Sequence, residues 1–133
     1  MPDYVTDTHS LIWYLENSPR LSPQANRAFD ACDRGEVAIF IPTICLVEMV
    51  YLQEKGRIQA GLTDQLEIEL RAGTSGLVCY DLTVDVVRAL SRIPRSDVPD
   101  MPDRIIAATA LHLGLPLISR DGKIQLSAVK TIW

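Results

Sequence analysis

Four acidic residues of this chain end or interrupt apolar segments, namely Asp7, Glu48, Asp103 and Asp121. An ionised carboxylate that is isolated in apolar surroundings is very costly unless it is paired or coordinates a metal. If the fold brings the four side chains together, a divalent cation is the natural way to stabilise them. The positions of these residues in the fold therefore decide what the chain can be.

Short apolar segments alternate with helical segments along the chain. The pattern predicts helices over residues 8–15, 23–34, 43–55, 62–72, 83–92 and 103–113. It predicts strands over residues 3–7, 37–41, 77–82, 115–119 and 129–133. This alternation is typical of a parallel sheet covered by helices on both faces. A chain of 133 residues without a linker or repeat indicates one domain with a single core.

The parallel topology predicts that the four acidic residues share one edge of the sheet. Asp7 and Asp121 come at the C-terminal ends of predicted strands, where ligands gather in sheets of this kind. Asp103 begins a helix, and Glu48 lies about one turn into another. We therefore expect the four carboxylates to reach one crevice and to bind Mg²⁺ or Mn²⁺, which prefer hard oxygen ligands, rather than zinc.

Each acidic residue also has a simpler interpretation. Asp7 could be the N-cap of the helix that follows it, and Asp100 could cap the last long helix. Asp121 begins an Asp-Gly pair, which is an ordinary turn signal. Glu48 could lie at a helix edge in water, but none of the residues three or four positions away along its helix is basic. That pattern favours a site role for Glu48.

Composition excludes several classes of protein. Hydrophobic residues make up 47% of the chain, which argues against disorder. The longest strongly apolar stretch, residues 37–47, is too short for a membrane helix, and no secretory signal precedes it. Three cysteines without a C-x-x-C pair argue against disulfides and zinc and favour a cytoplasmic location. The net charge of −4 argues against coating nucleic acid by bulk charge, although the four acidic residues account for that deficit.

Four segments of the chain resemble the PIN-domain ribonucleases. They read V-T-D-T-H at 5–9, P-T-I-C-L-V-E at 42–48, D-M-P-D-R-I-I-A-A-T-A at 100–110 and G-L-P-L-I-S-R-D at 114–121. The likeness is closest to the VapC-type toxins of bacterial toxin–antitoxin pairs. It covers essentially the whole chain, so it implies one PIN domain over residues 1–133.

The resemblance implies a Rossmann-like, three-layer α/β/α sandwich with a four- or five-stranded parallel sheet. It implies endonucleolytic cleavage of RNA with Mg²⁺ or Mn²⁺, a cognate antitoxin as partner, and a homodimer. The residues that match the acidic quartet of the family are Asp7, Glu48, Asp103 and Asp121. Asp100 matches an extra acid of one branch of the family, and Ser119 matches a Ser/Thr position that often supports the site.

The sequence says less about which residues contact RNA or an antitoxin. Arg104 and Arg120 adjoin two of the acids and could contact RNA phosphates, or could equally pair with a neighbouring acid. The candidates for a groove that binds the antitoxin are Trp13, Tyr14, Tyr51 and Leu52. For most of them, packing in the core is the favoured explanation. Two further functions stay open: a metal-free binding module with the same fold, and another Mg²⁺-dependent phosphoesterase such as a DNA nuclease. The acidic quartet favours the ribonuclease, because a purely structural role does not need four acids.

Overall fold

The computed structural model describes residues 2–125 and 127–133, which form a five-stranded, all-parallel sheet. The strands in chain order are β1 (Tyr4–Thr6), β2 (Ile39–Pro42), β3 (Leu77–Tyr80), β4 (Leu117–Ile118) and β5 (Thr131–Ile132). Their order across the sheet is β3-β2-β1-β4-β5, so β1 is central. The predicted parallel α/β class is confirmed, with five strands.

Helices connect these strands. They are α1 (Thr8–Leu15), α2 (Pro23–Asp33), α3 (Thr43–Glu54), α4 (Leu62–Ala72), α5 (Val84–Leu90), α6 (Met101–Leu113) and α7 (Gly122–Gln125). Several begin where the sequence places a capping side chain: Ser22 Oγ accepts a hydrogen bond from Ala25 N at 3.1 Å, with Pro23 at the first helical position. Among the described residues, none of the helices combines the length and apolar character needed to cross a membrane.

The central strand is buried because helices cover the sheet on both faces. Val5 pairs with Leu117 of β4 on one side, and Tyr4 pairs with Ile39 of β2 on the other. Strands buried on both faces read as continuous apolar runs, which is why β1 and β2 are recognisable in the sequence. Helix α6 packs against β1, α3 and α5 and presents buried residues from Ile105 to Ala110 to the core.

The observed elements differ from the predicted ones at their ends. Strands predicted at 77–82, 115–119 and 129–133 are shorter, because apolar composition does not show where the hydrogen-bonded ladder stops. Helix α6 begins at Met101 instead of Asp103, since Asp100 caps it. The Asp-Gly turn at Asp121 proves to open α7: Asp121 Oδ1 accepts from Ile124 N at 3.3 Å, and the buried Ile124 side chain anchors that turn of helix.

Gly76 lies against the backbone that precedes β2. Its N–H donates to Cys32 O at 3.0 Å, and its carbonyl accepts from Ile39 N at 2.9 Å. A Cβ atom at this position would lie 2.1 Å from Val37 O, which is a backbone atom and cannot rotate away. The start of β3 therefore has no room for a side chain.

We expect Gly76→Ala to lower the free energy of unfolding by about 2 kcal/mol or more, because the methyl group would push β3 away from Val37. Urea denaturation measures this change. Gly122→Ala is the matched control, since a Cβ there meets nothing within 4 Å. Equal stabilities of the two variants would contradict this account of the packing.

Candidate metal-binding active site

The carboxyl ends of three neighbouring strands meet at the edge where the acidic residues lie. Asp7 follows β1 directly, Asp121 lies three residues after β4, and α3 starts directly after β2 and carries Glu48 in its second turn. The connections leave β1 toward β2 and later return to β4 on its other side, so this edge is a topological switch point. Ligands of parallel α/β proteins bind at such points.

Two adjoining clefts open at this edge. The first has a volume of about 490 Å³ and is lined by Asp7, Thr8, His9, Trp13, Arg20, Asp103, Arg120 and Asp121. The second has a volume of about 630 Å³ and is lined by Val98, Pro99, Asp100, Asp103, Asp121, Gly122 and Lys123. Asp103 and Asp121 line both clefts. The fold thus brings three of the four predicted acids into one cleft and places Asp100 in the adjoining one.

Asp7 is held by the first turn of α1. Its Oδ1 accepts a hydrogen bond from Ser10 N at 2.9 Å, so it caps the helix, and its residue is only 8% exposed. Burial raises the pKa of Asp7, while hydrogen bonds from Ser10 and Ser119 oppose that rise. The two interpretations of Asp7, helix cap and cleft residue, are therefore both correct descriptions of its position.

Glu48 is linked to the site by a hydrogen bond from a residue of α1. Its Oε1 accepts a hydrogen bond from Thr8 Oγ1 at 2.5 Å, and Thr8 lines the first cleft beside Asp7. Burial raises the pKa of Glu48, the hydrogen bond from Thr8 lowers it, and the charge of Asp100 raises it further. Because the neighbours of Glu48 along α3 are apolar, the hydrogen-bond partner of its carboxylate comes from another helix, α1.

The pKa of Asp103 is affected by all the other acids of the site. Burial and, to a smaller extent, the charges of Asp100, Asp121, Glu48 and Asp7 together raise its pKa to about 7. Like charges that share a site disfavour the ionised form of each other. Since all four other acids act on Asp103, their carboxylates form one electrostatic cluster.

Local hydrogen bonds hold the remaining acids in place. Asp100 Oδ1 accepts from Asp103 N at 3.0 Å and so caps α6. Asp121 Oδ1 accepts from Lys123 N at 2.8 Å, while Ser119 Oγ accepts from Asp121 N at 3.1 Å. Ser119 is fully buried. Ser119 therefore positions the backbone of Asp121, and its hydroxyl lowers the pKa of Asp7 against the effect of burial.

The donor set suits Mg²⁺ or Mn²⁺. Within residues 2–125 and 127–133, no group of three or more His, Cys, Asp or Glu side chains is arranged tightly enough to enclose a metal ion. Mg²⁺ does not need such a cage, because it keeps several waters and binds through one or two carboxylates together with substrate phosphates. The ion pairs of the described residues, Arg34–Glu36 and Arg71–Glu67, involve none of the clustered acids. The cluster therefore carries negative charge that a hard cation can balance.

Arg104 and Arg120 differ in their surroundings. Arg104 donates from Nε to Ile93 O at 2.9 Å and from Nη2 to Leu90 O at 3.1 Å, at the C-terminal end of α5. These bonds weigh against the predicted RNA contact of Arg104, which stays untested. Arg120 instead lines the first cleft, with its guanidinium carbon 5.0 Å from the ring centre of Trp13.

Arg20 is a cleft residue that the sequence did not reveal. It is exposed, lies in the loop between α1 and α2, and lines the first cleft with His9, Trp13 and Arg120. No local pattern distinguishes it from any other surface arginine. Of the groove candidates, Tyr14 stacks on Phe29 at 4.5 Å and is explained by packing.

The parallel sheet and the acidic switch point define a Rossmann-like α/β protein with a crevice suited to a hard cation. A model of the PIN domain family matches residues 4–130, and the chain belongs to that family. Among curated proteins it is similar to Ribonuclease VapC22 of Mycobacterium tuberculosis, with 29% identity over 130 residues, which is 94% of this chain and 92% of the relative.

Solved structures share the fold. VapBC2 from Rickettsia felis, bound to a DNA fragment from their promoter, superposes with a TM-score of 0.73 at 15% identity and covers 98% of each chain. A toxin–antitoxin complex from Klebsiella pneumoniae gives a TM-score of 0.64 at 21% identity, covering 98% of this chain and 97% of the other. These identities are low, so the two likenesses establish the fold.

We expect Asp103→Asn to change how stability depends on pH. The pKa of Asp103 is raised from 3.8 to about 7, so the folded protein binds an extra proton between these values. This carboxyl therefore makes the folded state less stable as pH rises through that window and contributes no further slope above it. The amide variant lacks this slope.

Urea denaturation at several pH values between about 4 and 8 measures the effect. The free energy of unfolding of the variant should rise relative to wild type as the pH increases from acidic to neutral. Asp85→Asn, which alters an exposed acid in the first turn of α5, should run parallel to wild type. A constant difference between Asp103→Asn and wild type would contradict the raised pKa.

Proposed function

We propose that this protein is a metal-dependent endoribonuclease that cleaves RNA phosphodiester bonds, and that it is the toxin of a toxin–antitoxin pair. The observation that carries the proposal is the cleft at the switch point of a PIN-domain fold, lined by Asp7, Asp103 and Asp121. The similarity to a mycobacterial protein named as a ribonuclease supports the same activity. We assign the whole chain, residues 1–133, to one such domain acting in the cytoplasm.

Mg²⁺ or Mn²⁺ is the proposed cofactor. Asp7, Glu48, Asp103 and Asp121 would hold it together, one or two of them by direct coordination and the others through water. When bound, such an ion supplies an activated water and stabilises charge on the phosphate. Asp100 has a supporting role, because its charge sits beside Asp103 and favours a cation there.

The remaining residues of the clefts orient the carboxylates and attract the substrate. Thr8 fixes Glu48, and Ser119 fixes Asp121, so the acids keep their positions when the phosphate arrives. An anionic RNA backbone would be repelled by the carboxylates alone. Arg120 in the first cleft and Lys123 in the second provide positive charge on both sides of the acidic centre.

The proposed partners are an antitoxin protein and a second copy of the chain. The solved structures that share this fold include toxin–antitoxin complexes. Large apolar side chains are exposed on α3 and α4, among them Tyr51 at 60% and Ile68 at 70%. Exposed apolar side chains on two helices that pack together suit a protein-binding face.

RNA cleavage tests the proposal directly. We expect wild-type protein to cleave RNA with Mg²⁺ or Mn²⁺ and to stop when EDTA removes the ion. Asp7→Asn and Asp103→Asn should each slow cleavage by about 100-fold or more, because a charged ligand contributes several kcal/mol to stabilising the transition state. Asparagine still caps a helix, so Asp7→Asn should fold normally. Asp85→Asn serves as the control and should retain wild-type activity.

Equal rates for wild type and Asp7→Asn, with or without the ion, would sink the ribonuclease proposal. Parallel assays with DNA and a small phosphate ester separate it from another phosphoesterase. If Mn²⁺ raises the melting temperature of wild type but not of Asp103→Asn, the metal-free binding module is excluded as well. If Mn²⁺ does not change the melting temperature of wild type and no cleavage is seen, the metal-free binding module is favoured.

A further inference from the structure

One wall of the first cleft is aromatic and basic. Trp13 of α1 is half-buried, and its ring meets the edge of Trp133 with centroids 5.7 Å apart at 63°. The guanidinium of Arg120 lies 5.0 Å from the ring centre of Trp13. The contact with Trp133 therefore supports one edge of the Trp13 ring.

His9 extends the wall toward the acids. It lies one helical turn before Trp13, with ring centroids 5.9 Å apart, and two residues after Asp7. His9 is exposed, and it lines the same cleft as Asp7. An accessible aromatic surface therefore begins within one helical turn of a carboxylate of the acidic cluster.

Arg120 is not neutralised by the acids around it. It directly precedes Asp121, yet among the described residues it forms no ion pair with Asp7, Asp103 or Asp121. Its guanidinium rests against Trp13 instead, in a cation–π contact. This arrangement keeps a positive charge available at the rim of the cleft, where it can bind a phosphate group.

We propose that His9, Trp13 and Arg120 form a subsite for one unpaired nucleotide next to the cleaved bond. The base stacks on the aromatic wall, and Arg120 binds the adjacent phosphate. Aromatic and guanidinium planes recognise splayed bases of single-stranded RNA in this way. The inference rests on the proposed ribonuclease function and adds which residues hold a base beside the cleaved bond; bases stacked inside a continuous duplex cannot reach the wall.

Tryptophan fluorescence tests the stacking. The chain has two tryptophans, so Trp133→Phe leaves Trp13 as the only one and keeps an aromatic ring against it. Combined with Asp7→Asn, which is expected to slow cleavage by about 100-fold or more, this variant is titrated in Mg²⁺ with a short single-stranded oligoadenylate and with a duplex of equal length. Saturable quenching by the single strand, and little by the duplex, is the expected result.

Three outcomes of this titration would overturn the subsite. In the first, the single strand binds, as anisotropy of a labelled strand shows, but it does not quench the fluorescence. In the second, the duplex quenches as strongly as the single strand. In the third, neither nucleic acid binds. The first and third outcomes show that Trp13 does not contact a base of the single strand, and the second shows that the wall does not select unpaired bases.

Variants of the otherwise wild-type protein give an independent readout. Trp13→Leu should weaken single-strand binding about tenfold. Because Trp13 also packs on the core, its melting temperature is checked, and the exposed His9→Ala provides a second variant with the same expected direction. A plot of the logarithm of the binding constant against the logarithm of the salt concentration has a negative slope. Arg120→Gln should make that slope less negative by about 0.7, because one phosphate contact is lost. Arg88→Gln, an exposed arginine that lines neither cleft, should change nothing.

The two proposals fail in different ways. If wild type cleaves RNA and the variants of His9, Trp13 and Arg120 cleave it with unchanged kcat/KM, the subsite is wrong and the ribonuclease stands. If wild type cleaves no RNA, the ribonuclease proposal is lost and the subsite falls with it. Unchanged kcat with a raised KM in the variants would support a binding role for the wall.

Discussion

Repulsion between carboxylates at one edge of a buried parallel sheet is the interaction on which the site depends. These charges cannot separate, because the fold uses them locally as well: Asp7 caps α1, Asp100 caps α6, and Asp121 holds the first turn of α7. The positive ends of α1 and α6 stabilise the charges at their N-termini. Helix capping thus holds these acids close together in spite of their mutual repulsion. Burial, with the charges of the other acids adding to it, raises the pKa of Asp103 to about 7.

This arrangement explains why a cation and an anionic substrate can use the same place. A proton on Asp103 relieves part of the repulsion in the free protein, and a hard divalent ion can replace that proton. The clefts on either side of Asp103 and Asp121 carry basic residues, Arg120 in one and Lys123 in the other. An extended phosphate backbone could therefore cross the acidic centre while its flanking groups meet positive charge, even though the chain as a whole has a net charge of −4.

Much of the fold is readable from local signals. The caps Asp7, Ser22 and Asp100 and the apolar strand residues 4–6 and 39–41 determine the elements, and the parallel topology then predicts that the acids meet. Interactions distant in sequence are not readable in this way. The hydrogen bond from Thr8 to Glu48 joins residues 40 positions apart. Arg104 donates to carbonyl groups at and just after the end of α5. Arg20 lines the cleft only because the loop that carries it turns back toward the acids. The brief helix α7 was missed because an Asp-Gly pair predicts a turn and gives no sign that Ile124 will be buried.

The central claim is that these carboxylates bind a divalent ion at the switch point of the sheet. Anomalous diffraction from crystals grown with Mn²⁺ tests it most directly, because the signal locates the ion independently of any activity. We expect a peak about 2.1 Å from carboxylate oxygens of Asp7, Asp103 or Asp121. A peak confined to another surface, or no peak in crystals that contain Mn²⁺ at saturating concentration, would contradict it.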